Sequence, residues 1–200
     1  GRILEAAVAA RRPWQAWRPT FALGNRYADG ADAVGFHSDF IRELGPRPII
    51  VGLTLGACRR FDLRGPALEG TLGAAAAAEW PRRVCIPLPH NSAIVMWNDC
   101  QELWQHAVPR CANDTIVRHA ASGLVRYSLT YRMKKRLPEL GTCHCGLPAG
   151  LKSKAGTYYL FCNPSGGKKK TCGFWKRCAW AEAEAQRMRE RDAREAAAAA

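Results

Sequence analysis

Two histidines and one aspartate carry the first chemical signal in this chain. His37 and Asp39 form an H-x-D pair in a strand-like stretch, and His106 follows downstream. On a strand, residues two apart point to the same face. A distant strand brought alongside can then add His106. Two imidazoles and one carboxylate on one side of a metal leave the other side open, an arrangement suited to non-haem Fe(II) and dioxygen chemistry. Alone, an H-x-D pair equally fits a solvated turn, and a single histidine is more often structural than a ligand. Arg126 and Arg132 add weight, because their even spacing in the strand-like LVRYSLTYRM turns both the same way. A guanidinium forks onto a carboxylate through two hydrogen bonds, which a lysine cannot reproduce, so the pair suits a dicarboxylate co-substrate.

A second constellation lies near the C-terminus. Cys143, Cys145, Cys162 and Cys172 come from two short segments and suit a tetrahedral Zn(II) thiolate site. His144 and Cys178 stand close enough in sequence to replace one of them. A unit of about 40 residues buries too little apolar surface to fold alone, so the metal would supply folding energy. Around these cysteines Lys152, Lys154, Lys168, Lys169, Lys170, Lys176 and Arg177 alternate with Tyr158, Tyr159, Phe161, Phe174 and Trp175. Cations that track phosphates beside aromatic faces that stack on unpaired bases make a single-strand-binding surface. Lys168, Lys169, Lys170 and Trp175 are the candidate contacts.

The formal net charge of +13 points to a polyanionic partner and argues against a generic protein target. No apolar run is long enough to cross a bilayer. Nine cysteines, an odd total with one tight cluster, favour a reducing compartment and a metal site over a disulfide framework. The chain starts at Gly1, so the reading is of a fragment or a processed chain.

The elements that must position these groups are mostly short strands. GRILEAAVAARR reads as an amphipathic helix end or a lead-in. Between Trp17 and Asp39, strand pieces are expected to break at Gly24, Asp29-Gly30 and Gly35. PIIVGLTLGACRRFDL gives one or two strands. VCIPL and AIVMW flank the Pro89-His90-Asn91-Ser92 turn and predict a hairpin. The Gly/Ala-rich stretch at 65–79 suggests a loop insertion or a surface helix. Many strands with few helices predict a mainly β, double-sheet jelly roll, the double-stranded β-helix, ending at Pro138. This gives a core at 1–138, a small zinc unit at 141–180 and a tail at 181–200. That tail has high helix propensity and no apolar stripe, so it is expected to be an exposed helix or frayed end.

Four ordered segments, NRYADGADAVGFHSD, IIVGLTLGACRRF, HNSAIVMWNDCQELWQHAVPR and RYSLTYR, resemble the AlkB family of Fe(II)- and 2-oxoglutarate-dependent dioxygenases over about residues 14–136. The resemblance implies iron on His37, Asp39 and His106. It implies 2-oxoglutarate on Asn25, Tyr27, Arg126, Ser128 and Arg132, with Ser128 standing where many relatives have Asn. Arg59 matches a family arginine after the L-G turn that could contact nucleic acid or support the site. CHCGLPAGLKSKAGTYYLFCNPSGGKKKTCGFW similarly resembles a GRF-type zinc finger over about residues 142–180, a module that binds single-stranded nucleic acid.

The implied reaction is oxidative dealkylation of an N-alkylated base: 2-oxoglutarate is decarboxylated to succinate and the methyl group leaves as formaldehyde. Such a base must be turned out of its stack, which is easiest when it is damaged or unpaired. The family's nucleotide-recognition lid precedes N-x-Y, and only 24 residues precede Asn25, so most of a lid is expected to lie outside this sequence. The finger is read as a tethered module that raises the local concentration of substrate. The expected protein is a monomer with no membrane partner, nuclear through its repair role. Two other readings are an RNA or protein demethylase with the same chemistry, and a non-enzymatic nucleic-acid-binding module.

Overall fold

The computed structural model describes residues 1–65, 82–154, 156–163 and 171–198. Most of the Gly/Ala-rich stretch and the run Lys168-Lys169-Lys170 lie outside the described residues. Eight strands build the core: β1 (Phe21–Tyr27), β2 (Val34–His37), β3 (Ile50–Gly56), β4 (Arg59–Arg64), β5 (Arg83–Leu88), β6 (Ser92–Met96), β7 (Gln105–Val108) and β8 (Arg126–Arg132). They form two four-stranded antiparallel sheets, ordered β1-β8-β3-β6 and β2-β7-β4-β5. This is the expected jelly-roll core.

The chain crosses between the sheets at every step except β4 to β5, and that corrects one expectation. VCIPL and AIVMW do not pair as a hairpin: β5 pairs with β4 and β6 with β3, so the Pro89–Ser92 turn crosses from one sheet to the other. The β3–β4 crossing is similar and depends on Gly56. Its φ is +90°, and a Cβ there would lie 2.2 Å from the Val125 carbonyl oxygen, so only glycine fits. Gly24, expected as a break, sits inside β1, where ladder hydrogen bonds outweigh its low strand propensity. Gly35 lies in β2 where the register with β7 shifts between Val34 and His37, so part of the expected interruption is present.

Two apolar clusters flank the first sheet. Tyr27, Leu44, Ile50, Phe61, Leu88, Met96 and Val108 fill the space between the sheets. Helix α1 (Arg2–Ala9) covers the other side, where Val8 and Trp17 pack on Ile49 and Val51. Ile50 and Val51 thus serve opposite faces of β3, as strand alternation requires. Both are fully buried, which explains why IIVGL lacks a polar face.

The C-terminal unit is a three-stranded antiparallel sheet, β11-β10-β9, built from β9 (Ala149–Lys154), β10 (Thr157–Cys162) and β11 (Trp175–Arg177). It is not tethered. Its apolar cluster of Leu151, Tyr158, Cys178, Ala181 and Ala185 includes Ile41 from the core, which is 2% exposed. The Tyr158 hydroxyl also donates to Glu102 of helix α2 (Cys100–Leu103) at 2.8 Å.

Helix α3 (Ala179–Ala198) is likewise docked rather than exposed or frayed. Its small Ala181 and Ala185 let it lie close against the unit. Further along, Arg189 pairs with Asp99 at 2.9 Å, and Asp192 meets Arg47 at 2.7 Å, Arg12 and the Trp14 indole. A narrow alanine and methionine contact plus buried charge pairing replaces the wide apolar stripe that sequence patterns detect.

Candidate metal centres and their pocket

His37 closes β2 and His106 lies on β7, paired directly across the ladder. Their ring centroids are 4.3 Å apart. Asp39 lies just beyond β2 rather than on it. Its backbone N–H donates to the Gln101 side chain at 2.7 Å, and Ser38 Oγ donates to the Trp104 carbonyl. These bonds turn the carboxylate inward, with Oδ1 at 3.6 Å from Nε2 of both histidines. The three candidate ligand atoms lie within 4.8 Å of one another.

The surroundings suit a cation. Nδ1 of His37 is 2.8 Å from the Gly35 carbonyl. With the proton on Nδ1, the Nε2 lone pair faces the cluster, a common way of fixing a metal-binding tautomer. The hydrogen bond with Asp39 raises the His37 pKa. Burial pushes His106 down to about 4, so it is neutral at neutral pH. Burial also works to raise Asp39, but the His37 hydrogen bond and the Arg132 guanidinium outweigh it and hold the carboxyl at about 2. An ionised carboxylate beside a neutral imidazole is the protonation state that metal binding needs. The second carboxylate oxygen takes two hydrogen bonds from Arg132, at 2.7 and 2.9 Å.

Arg126 is the other end of the arrangement. It is 2% exposed, and its Nη2 donates to Thr54 Oγ1 at 3.0 Å. Nε and Nη1 are buried and have no hydrogen-bond partner within 3.5 Å among the described residues. Tyr27 lies beside it, with the guanidinium 5.1 Å from the ring centroid. Burial lowers the Arg126 pKa. An unpaired buried guanidinium is costly, and an anion in the pocket would relieve that cost.

His37, Asp39, His106, Arg126 and Arg132 all line one cavity of about 760 Å³ between the sheets. Asn25 and Ser128, paired across β1 and β8, line it too. The two candidate histidine ligands come from the second sheet, with Asp39 just beyond its β2, and the two arginines come from the first.

Arg59, read as a contact to nucleic acid or a support of the site, is placed as a support. It is 2% exposed, and its guanidinium donates to the carbonyls of Asp29, Asp32 and Pro109. It ties two loops together, with three of its five N–H donors on those carbonyls.

The four cysteine sulfurs of Cys143, Cys145, Cys162 and Cys172 also lie within 4.8 Å of one another. Cys145 and Cys162 sit 3.7 Å apart, close to the edge of about 3.8 Å expected for a tetrahedron with Zn–S bonds of about 2.3 Å, while Cys143 and Cys145 sit closer, at 3.0 Å. His144 is directed instead against the Phe174 ring, and Cys178 is buried in the unit's apolar cluster. Sequence reading missed Ile41, Gln101, Glu102 and Tyr158 as supports of the site. An apolar residue next to H-x-D was the one visible hint.

Comparisons agree with this geometry. Human DNA oxidative demethylase ALKBH2 is 37% identical over 89 residues, covering 44% of this chain and 33% of that protein. Human alpha-ketoglutarate-dependent dioxygenase alkB homolog 3 is 39% identical over 88 residues, 44% of this chain and 30% of its own length. The mouse homolog 3 gives the same 39% over 88 residues. The chain thus spans about a third of the length of these curated relatives. Residues 2–132, most of the chain, match the 2OG-Fe(II) oxygenase superfamily. The chain belongs to that superfamily and is AlkB-like.

Proposed function

We propose that this protein is an Fe(II)- and 2-oxoglutarate-dependent dioxygenase that removes N-alkyl groups from bases in nucleic acid. The observation that carries the reading is the shared cavity: three convergent ligand atoms at one side and, at the other, a buried guanidinium with two nitrogens unpartnered among the described residues. His37, Asp39 and His106 would hold iron. Arg126 would take the far carboxylate of 2-oxoglutarate, with Asn25, Tyr27 and Ser128 along its length. Arg132 fixes the Asp39 carboxylate and stands near the end that meets iron. When bound, iron and 2-oxoglutarate together supply the oxidant for dioxygen chemistry. The chain's own work is to orient co-substrate and alkyl carbon and to keep the Arg126 end dry. The names of the relatives, a DNA oxidative demethylase among them, support a nucleic-acid substrate, as does the net charge of +13.

The four cysteines would hold Zn(II) and stabilise the C-terminal unit as a nucleic-acid-binding finger, with Trp175 and the lysine run among its contacts. The resemblance to a GRF-type finger supports this. A monomer working in the nucleus completes the reading, on the repair role alone. The test is a panel of N-methylated DNA, RNA and peptide substrates, incubated with Fe(II), ascorbate and 2-oxoglutarate. Formaldehyde and succinate should appear together for a nucleic-acid substrate. Succinate without formaldehyde from any oligonucleotide would refute the substrate class.

A further inference from the structure

The outward face of the C-terminal sheet is rich in aromatic and cationic side chains that its core does not use. The ladder pairs Tyr159 with Lys152 and Arg177, and Phe161 with Gly150 and Trp175. Alternation puts these six residues on one face. Leu151, Tyr158 and Leu160 point the other way, into the cluster closed by Ile41 and α3. On the outward face Tyr159 and Trp175 stack at 4.5 Å. The Lys152 ammonium sits 4.3 Å from the Trp175 ring centroid and 4.7 Å from that of Phe161. Trp175 is 47% exposed. Arg177 shares its charge with Glu182, so Lys152 and Lys154 supply the freer positive charge.

The iron-side cavity reaches this sheet. Gly150 of the outward face lines it with Leu151, Asn163, Asp39 and Arg132. A Cβ on Gly150 would lie 2.6 Å from a Phe161 ring carbon. Glycine there lets the Phe161 ring lie across β9, directly over a residue that lines the cavity. The unit is also held in place, by Ile41 in its apolar cluster, by the Tyr158–Glu102 hydrogen bond and by the charge pairs of α3.

We propose that the cavity and this outward face form one continuous track for a single nucleic-acid strand, so that the unit grips nucleotides on one side only of the base in the pocket. The proposal rests on the nucleic-acid substrate put forward above and adds a direction to it. Flat aromatic faces interleaved with lysines suit stacked bases and their phosphates. A flexibly tethered module would grip either side equally. A docked one cannot, because its distance and bearing from the cavity are fixed.

The test measures binding without oxygen, using the full chain loaded with iron, zinc and 2-oxoglutarate. Two fluorescent single-stranded oligonucleotides carry one N-methylated base, at the 5′ end in one and the 3′ end in the other. One orientation should bind at least about tenfold more tightly, which stacking of one or two bases suffices to give. Trp175→Ala should remove the difference and Trp175→Phe should keep it, with zinc stoichiometry unchanged in both. Equal Kd values for the two orientations would overturn the proposal, as would an asymmetry that survives Trp175→Ala. An acidic peptide that binds as tightly as the better oligonucleotide would overturn the choice of occupant. Formaldehyde release, assayed separately on the same strands, reports on the catalytic reading. If asymmetry persists while no formaldehyde forms, only the catalytic reading fails.

Discussion

Replacing Glu102 with glutamine removes one ionisable group from the joint between the core and the C-terminal unit and keeps its shape. Glu102 is 4% exposed. It accepts from the Tyr158 hydroxyl at 2.8 Å and the Arg47 backbone N–H at 2.7 Å, both at the same oxygen. The other oxygen is buried and has no hydrogen-bond partner among the described residues. Burial pushes the carboxyl from its ordinary 4.5 up to about 7, against the pull of those two hydrogen bonds. The folded state therefore binds this proton more tightly than the unfolded state. The contribution to stability is fully present below pH 4.5, falls as pH rises and is lost above about 7. At about 1.4 kcal/mol per pKa unit, the loss is on the order of 3 kcal/mol.

His106 acts in the opposite direction over nearly the same range. Its folded pKa of about 4 makes stability rise with pH up to its ordinary 6.5. The wild-type profile alone can therefore look flat, and the difference between two proteins is the useful quantity. Urea unfolding of wild type and Glu102→Gln, zinc-loaded and without added iron, should be compared from pH 4.5 to 8. The variant's stability relative to wild type should grow by roughly 3 kcal/mol across that range. A difference that stays constant with pH would mean that Glu102 is not a buried proton-binding group, and the account of the joint would fail.

Arg126→Lys should raise the KM for 2-oxoglutarate by on the order of 100-fold, within the 2–5 kcal/mol typical of truncating a buried charge pair; an unchanged KM would remove Arg126 from the co-substrate site. Asp39→Ala should abolish succinate formation while the affinity for an unmethylated single strand stays within about twofold, since the aromatic face lies outside the iron triad. Loss of that binding in a folded variant would contradict the division of labour. Cys162→Ser should lower zinc stoichiometry and also reduce the thermal stability of the core. Ile41 and Glu102 lose their partners when β10 melts, and a core melting point unchanged in this variant would argue against docking. Phe40, 70% exposed and lining the cavity next to Asp39, should raise the KM for a methylated oligonucleotide when changed to alanine; peptide or succinate readouts alone would not test it.

Several features were legible from residue type and spacing. His37, Asp39 and His106 could be read because metal ligation demands particular side chains, and Arg126 and Arg132 because strand alternation is local. The four cysteines were legible for the same reason. The mainly β class followed from short apolar runs and turn residues. What stayed hidden depends on which distant segments meet. Nothing local says that β5 and β6 lie in different sheets, because a four-residue turn serves a hairpin and a sheet crossing alike. Nothing local says that Arg59 spends its charge on three carbonyls from two loops. The helix at 179–198 has no apolar stripe, so its docking through Arg189 and Asp192 came only from partners far away in the chain. The placement of Ile41 inside another unit's core, which fixes the C-terminal sheet beside the iron-side cavity, was decided by tertiary packing alone. Burial is a property of the assembled surface and not of any one segment.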